Sequence, residues 1–259
     1  MRMYIKNVFS LIIQCKALYI SYPMNHTKST NKKYSITGKW ILLLVFFTFG
    51  FSHWADVDIE DSFTSTDLRI FIESTTFGFS PNPSLISFPK NRVYVGVGLS
   101  QNQLSGWVPK FSTDVFITNN LYFVGRISQF YSDENIVHSH NYGIALKSGE
   151  DVAYPWYTSV VFCNLTGPKD FALRSVSLTM GTLIQLADHQ IQVGLGKEMY
   201  SARFFSDETK TLFPNGMEGE INYILLGMHF QRNSIGIIPQ IQFHPGLIGV
   251  SVRMVWGIG

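Results

Sequence analysis

The feature that most constrains this chain is an apolar–polar alternation of period two. It recurs in segments that are mostly 8–13 residues long. In Arg92–Ser100, Val93, Val95, Val97 and Leu99 fall on one side. Tyr94, Gly96, Gly98 and Ser100 fall on the other. The last segment repeats the pattern, with Val250, Val252, Met254, Trp256 and Ile258 set against Ser251, Arg253, Val255 and Gly257. Successive side chains of a strand point to opposite faces, so each segment reads as a strand with one apolar face. Ten such segments are predicted: 91–100, 110–117, 121–131, 138–148, 155–164, 171–185, 189–198, 219–231, 235–243 and 247–258. Strands of globular proteins centre on about 5–6 residues, whereas a strand that crosses a bilayer needs about 9–11. The predicted fold is therefore all-β, an antiparallel up-and-down transmembrane β-barrel of about ten strands. Pro239 inside the ninth segment lacks the donor a central strand uses and points to a bulge or an irregular seam. The count accordingly ranges from eight to twelve.

The connections fit this reading. Thr118–Asn120, Leu186–Asp188 and Arg232–Ser234 are tight turns at one end, and the longest connection, Met199–Glu218, is at the other. Outer-membrane barrels have short inner turns and longer outer loops. The leader agrees with export. Trp40–Phe51 is a twelve-residue apolar or small-residue run preceded by Lys32, Lys33 and Lys39. That is too short to span a bilayer and matches the h-region of a signal peptide. Cleavage is expected after Ala55, with Ser52 as the second option and Met24 as a possible true start. Residues 1–55 are thus read as leader, 56–89 as an N-terminal periplasmic segment or plug, and 90–259 as barrel. Thr64–Asp67 is able to cap a short helix over Leu68–Glu73, and the same stretch also reads as a strand that closes the barrel.

Charge separates these parts. Residues 1–55 hold 7 basic and no acidic residues; the other 204 hold 13 basic and 18 acidic, a net of −5. A basic nucleic-acid-binding body is excluded as the reading. The expected partners are outer-membrane lipid and a small or lipidic ligand, with oligomeric state left open. No cofactor is implied. Of the two cysteines, Cys15 leaves with the leader and Cys163 reads as a packed thiol.

Ser80-Pro81-Asn82-Pro83-Ser84-Leu85-Ile86-Ser87-Phe88 leads directly into the first long strand. It resembles the Asn-Pro-x-x-Leu-type segment of the outer-membrane fatty-acid transporter family and its type IX secretion-associated relatives, with Leu85 one position early. The resemblance implies a membrane barrel and lipid transport.

On the alternation, the lumen receives Tyr94, Gly96, Gly98, Ser100, Asp114, Tyr122, Arg126, Ser128, Lys147, Ser175, Ser177, Thr179, Gln192, Gln240, Gln242, Ser251 and Arg253. A barrel of about eight strands is filled by side chains, and only about 16–18 leave an aqueous channel. Ten strands exclude an open general porin, while the lumen glycines leave room for a narrow path or a small cavity. Asp114, Arg126 and Arg253 form the candidate lumen charge cluster. It reads either as an ion-pair network that neutralises buried charge or as an ion-selective constriction. Tyr131, Tyr142, Tyr154, Tyr157, Trp107, Trp156 and Trp256 in several cases lie near segment ends, as interfacial girdle residues do.

No catalytic, cofactor or metal site is predicted, and the chain reads as non-enzymatic. His138-Ser139-His140, with Asp133 or Glu134 nearby, is the strongest enzyme signal and would suit a lipid-modifying barrel hydrolase. A triad needs nucleophile and base in hydrogen-bond reach, and strand neighbours face opposite ways. Gly194-Leu195-Gly196-Lys197 lacks the spacing of a phosphate loop. A secreted soluble β-barrel or sandwich binder makes the opposite burial forecast: Val93, Val95, Val97, Val250, Val252 and Met254 inside, Arg126 and Arg253 outside.

Overall fold

The computed structural model describes residues 55, 57, 59, 63–80, 92–102, 106–132, 135–148, 155–186, 189–232 and 235–258. Residues 1–54 of the leader, Asp133, Glu134, Tyr154 and residues 81–88 of the family-like segment lie outside them. The described elements are α1 (Ser65–Phe79), β1 (Val93–Asn102), β2 (Gly106–Phe116), β3 (Leu121–Ser132), β4 (Asn135–Lys147), β5 (Trp156–Thr166), β6 (Phe171–Leu186), β7 (His189–Phe204), α2 (Asp207–Leu212), β8 (Met217–Arg232), β9 (Ile235–His244) and β10 (Leu247–Ile258). The ten strands close into one antiparallel barrel in chain order, with β1 pairing β10 from Val93–Ile258 to Gln101–Val250. Every segment read from the alternation forms a strand.

Registers sort the faces as the membrane reading requires, and burial agrees except at Met254, which lies on the outer-face parity yet is buried. Val95 is 36% exposed on the outside, whereas Arg126 and Arg253 are 4% and 7% exposed within. All the residues assigned to the lumen from the alternation face it, and Lys110, Ser139, Asn141 and Glu198 join that polar set. Phe111, Ile127, Ile144, Met180, Leu195 and Ile224 are among the exposed apolar residues of the outer wall. That outward apolar face, on strands of membrane-crossing length, makes this a membrane-spanning barrel. Trp107 and Tyr131 face outward at one end, and Trp156 and Trp256 at the other. Tyr142 lies mid-wall, stacked on Phe162. Tyr157 corrects the girdle reading: it is buried, 1% exposed, inside the lumen.

Two boundaries move by four residues or more. β2 starts at Gly106 rather than 110, and β7 runs to Phe204 rather than 198. In β7 the outer face turns mostly polar after Leu195: Lys197, Ser201 and Arg203 follow with only Met199 apolar among them, and Lys197 lies opposite Asn222 and Ser201 opposite Glu218 of β8. The ladder continues there, but the hydrophobic signal stops, because this part of the wall stands beyond the apolar band. Lys197 and Glu220 form an ion pair on it. The connection after β7 shrinks to 205–216 and holds α2.

Pro239 forms no bulge. Ile224–Phe243, Gly227–Gln240 and Phe230–Ile237 keep one register across β8 and β9. Only the pairs beside Pro239 drop out of that ladder, and its pairing with Val252 of β10 persists. The larger interruption lies elsewhere. The β2–β3 ladder covers Phe111–Ile127 to Phe116–Tyr122, leaving Gly106–Lys110 and Ser128–Ser132 unpaired to each other. The N-terminal segment bonds to both sides of this seam: the Ala55 amide donates to the Trp107 carbonyl at 2.9 Å, and the Val57 amide to Ser132 Oγ at 3.1 Å.

Of the two alternatives left open for Thr64–Glu73, the helix forms, and it extends to Phe79. Thr64 caps it: its hydroxyl accepts from the Asp67 amide, and the Asp67 carboxylate accepts from the Thr64 amide. The Thr64 hydroxyl and amide hold the Asp67 carboxyl below the usual carboxylate range. Its contribution is therefore present at neutral pH and is lost as acid titrates through that lowered value. α1 lies in the lumen. Phe71 meets Phe171 edge-on, Phe77 meets Tyr223, and Phe79 stacks on Phe130.

Two substitutions test these face assignments. Val95→Lys places a charge on the lipid face and should cost about 2–4 kcal/mol near the bilayer midplane, read by urea titration of folding in lipid vesicles. Gly196→Ala puts a methyl into the Tyr223 ring. It should cost about 1–3 kcal/mol, seen as a lower midpoint of the heat-dependent gel shift.

Candidate functional site

The interior is built in layers. At the end where β6 starts and β7 finishes, α1 packs with Val108, Phe130, Leu165, Phe171, Leu173 and Phe204 into one apolar cluster. At the other end, Tyr94, Phe116, Tyr122, Tyr157, Leu183 and Ile238 form a second. Between them lies a polar belt. Two of its glycines lie against aromatic side chains. A Cβ at Gly196 would overlap the Tyr223 ring, and one at Gly194 the Tyr157 hydroxyl. The glycines therefore seat rings, and Gly194–Lys197 has a packing role. The Tyr223 hydroxyl lies 3.0 Å from both Ser177 Oγ and Thr179 Oγ1, and Gln240 Nε2 donates to Gln192 Oε1 at 2.9 Å.

The charge cluster sits in this belt. Asp114 of β2 and Arg126 of β3 are diagonal neighbours, since Asp114 pairs with Val124 and Arg126 with Ser112. Arg126 Nη1 lies 2.7 Å from Asp114 Oδ1 and also reaches the carbonyls of Thr113 and Gly125. Arg253 arrives from β10, its Nη1 3.5 Å from Asp114 Oδ2. The structure thus brings all three predicted residues together, with one carboxylate between two guanidiniums. Lys147 stands apart, with its ammonium over the Phe116 ring.

Lys110 is the member that the sequence reading missed. It follows the same alternation as Ser112 and Asp114, and that parity was the available signal. Its Nζ donates to the carbonyls of Gly78 and Ser80 at 3.0 and 3.1 Å. Ser100 Oγ also donates to Gly78 O, and Asn141 Nδ2 to Phe79 O. These are the carbonyls that the end of α1 leaves unpaired, and a cation there complements the helix dipole. The barrel wall therefore supplies the C-terminal cap that the helix lacks.

Ser139 faces the lumen, fully buried, with its hydroxyl 3.1 Å from Asn141 Oδ1 and 3.8 Å from Cys163 Sγ. His138 and His140 lie on the outer face, their rings nearly parallel at 6.4 Å. The hydroxyl and the two rings are thus on opposite sides of the wall. Cys163 is buried and free. Among the described residues, no group of three or more metal-ligating side chains forms.

No family model and no curated protein matches the chain. Among solved structures it is similar to the KdgM porin in complex with disordered oligogalacturonate, at 7% identity over 64% of this chain and 99% of that one, with a TM-score of 0.39. It is similar to a loop L8 deletion mutant of OmpT, an outer membrane protein of Vibrio cholerae, at 7% identity over 65% and 60% of the two chains, with a TM-score of 0.35. The attachment invasion locus protein Ail of Yersinia pestis follows at 8% identity over 63% and 93%, with a TM-score of 0.22. At such scores these likenesses carry no argument, and the barrel assignment stands on the chain's own closed strand order.

The ion network generates a direct test. Asp114→Asn leaves two buried guanidiniums without their carboxylate and should cost about 3–5 kcal/mol, measured by urea unfolding in vesicles.

Proposed function

We propose that this chain is a non-enzymatic outer-membrane β-barrel, exported by its leader, that is sealed at rest and serves as a structural or binding component of the membrane. The observation that carries this reading is the filled lumen: α1 packs one end, aromatic side chains pack the other, and a bonded polar layer lies between. Outer-membrane lipid is the solvent of the apolar wall. With both barrel termini on the inner side, the tall polar wall of β6–β8 and the start of α1 project outward. That wall is the surface for a partner.

The test is conductance of the full chain reconstituted in a planar bilayer. The sealed reading expects no steady current at moderate voltage. A steady open channel in the unmodified protein contradicts it.

A second reading, passage of a lipidic ligand as the family resemblance implies, is favoured by the seam between β2 and β3. Continuing the ladder register sets Pro109 opposite Gln129 across that seam. A Pro109→Cys, Gln129→Cys disulfide would abolish lipid uptake under this reading. Under the sealed reading it leaves the protein's behaviour unchanged.

A further inference from the structure

One small cavity in the lumen wall faces an excess of positive charge. It measures about 30 Å³ and is lined by Gly98, Lys110, Arg126, Gln240, Ser251 and Arg253, with Leu99 and Val252 beside them. The registers place Gly98 directly between Lys110 on β2 and Arg253 on β10. Gly98 has no side chain to fill the gap, and a Cβ there would press on the Val252 carbonyl and on Arg253. The space between the two long cations therefore stays open.

The three cations are not equally satisfied. Lys110 is bonded to two carbonyls of the α1 terminus. Arg126 is bonded to Asp114 and two more carbonyls. Arg253 approaches Asp114 only at 3.5 Å, longer than the roughly 2.7–2.9 Å of a charge-assisted bond. Its Nη1 and Nη2 are both buried without a hydrogen-bond partner. Arg253 is 7% exposed, so water outside the wall does not solvate it. Glu198, another lumen carboxylate, is engaged elsewhere: it accepts from Ser175 at 2.6 Å and forms no ion pair among the described residues. With Lys110 held on the carbonyl end of α1, one carboxylate serves two guanidiniums, and Arg253 is the one it holds at longer range. A buried, unpaired guanidinium is strongly unfavourable.

We propose that this cavity is a binding site for a small inorganic anion of halide size. Arg253 is its principal donor, and Arg126 and Lys110 complete the positive shell. A cavity needs about 10–15 Å³ to hold one water. The space therefore suits one small anion and excludes a sugar, a phospholipid headgroup or a fatty acid. The anion supplies the acceptor that Arg253 lacks. The site is independent of whether the lumen opens, since its lining belongs to the barrel wall.

The test uses the full chain folded in detergent micelles, with bromide compared against gluconate, which is too large for the cavity, at equal ionic strength. The midpoint of the heat-dependent gel shift should be higher in bromide by about 3 °C or more. Arg253→Gln should remove that difference. Equal midpoints for the unmodified protein overturn the proposal, as does full bromide dependence in Arg253→Gln. Should that variant fail to fold, crystals of the unmodified protein grown in bromide decide. An anomalous peak within hydrogen-bond reach of the Arg253 Nη atoms is expected, and no peak there overturns the site.

Discussion

Closure of β1 against β10 is the constraint on which the rest of this structure depends. Once the sheet has no edge, each strand must divide its side chains between an apolar exterior and a lumen. The exterior carries Val95, Ile127, Leu195 and Ile224, and polar residues that cross the bilayer have only the interior left. Ten strands enclose more space than their own side chains fill, and the N-terminal helix takes up the remainder. Its carbonyl end would be unsatisfied in such a place. Lys110, Ser100 and Asn141 reach from three different strands to bond it. Plug and wall thus complete each other's hydrogen bonding.

The same logic explains the charge. A cation suits the C-terminal end of α1, and Asp114 holds Arg126 beside it. Arg253, carried in by the strand that closes the barrel, shares that carboxylate at longer range. Arg126 and Arg253 are both buried, so removing the Asp114 carboxylate leaves two guanidiniums in a low-dielectric interior.

Strands and faces were legible because period two survives wherever one face meets lipid. Val93–Ser100 and Val250–Ile258 alternate almost throughout, and their lumen assignments hold. The signal failed where that contrast disappears. At Lys197–Arg203 the wall leaves the apolar band, so the alternation stops before β7 does. α1 was legible only at its cap, Thr64–Asp67. Beyond that, Ser74, Thr75, Thr76, Phe77 and Phe79 are all buried, because the helix is enclosed and shows no polar stripe. A trace of it did stand in the strands. Tyr223 breaks the polar face of β8 because Phe77 packs on it, and Leu225 joins the same buried cluster. Ser139 was legible as facing away from its flanking histidines, while the seam at β2–β3 depends on long-range contacts with Ala55 and Val57 that no local pattern encodes.

α1 occupies the lumen of the membrane-embedded barrel. The most direct measurement places a photo-crosslinking phenylalanine analogue at Phe79 in the full chain, reconstituted in lipid vesicles. Phe79 stacks on Phe130 at a centroid distance of 5.8 Å. With the helix inside the barrel, the crosslink maps to β3 around Phe130. Crosslinking to lipid, or to solvent-facing sites outside the barrel, would contradict that placement.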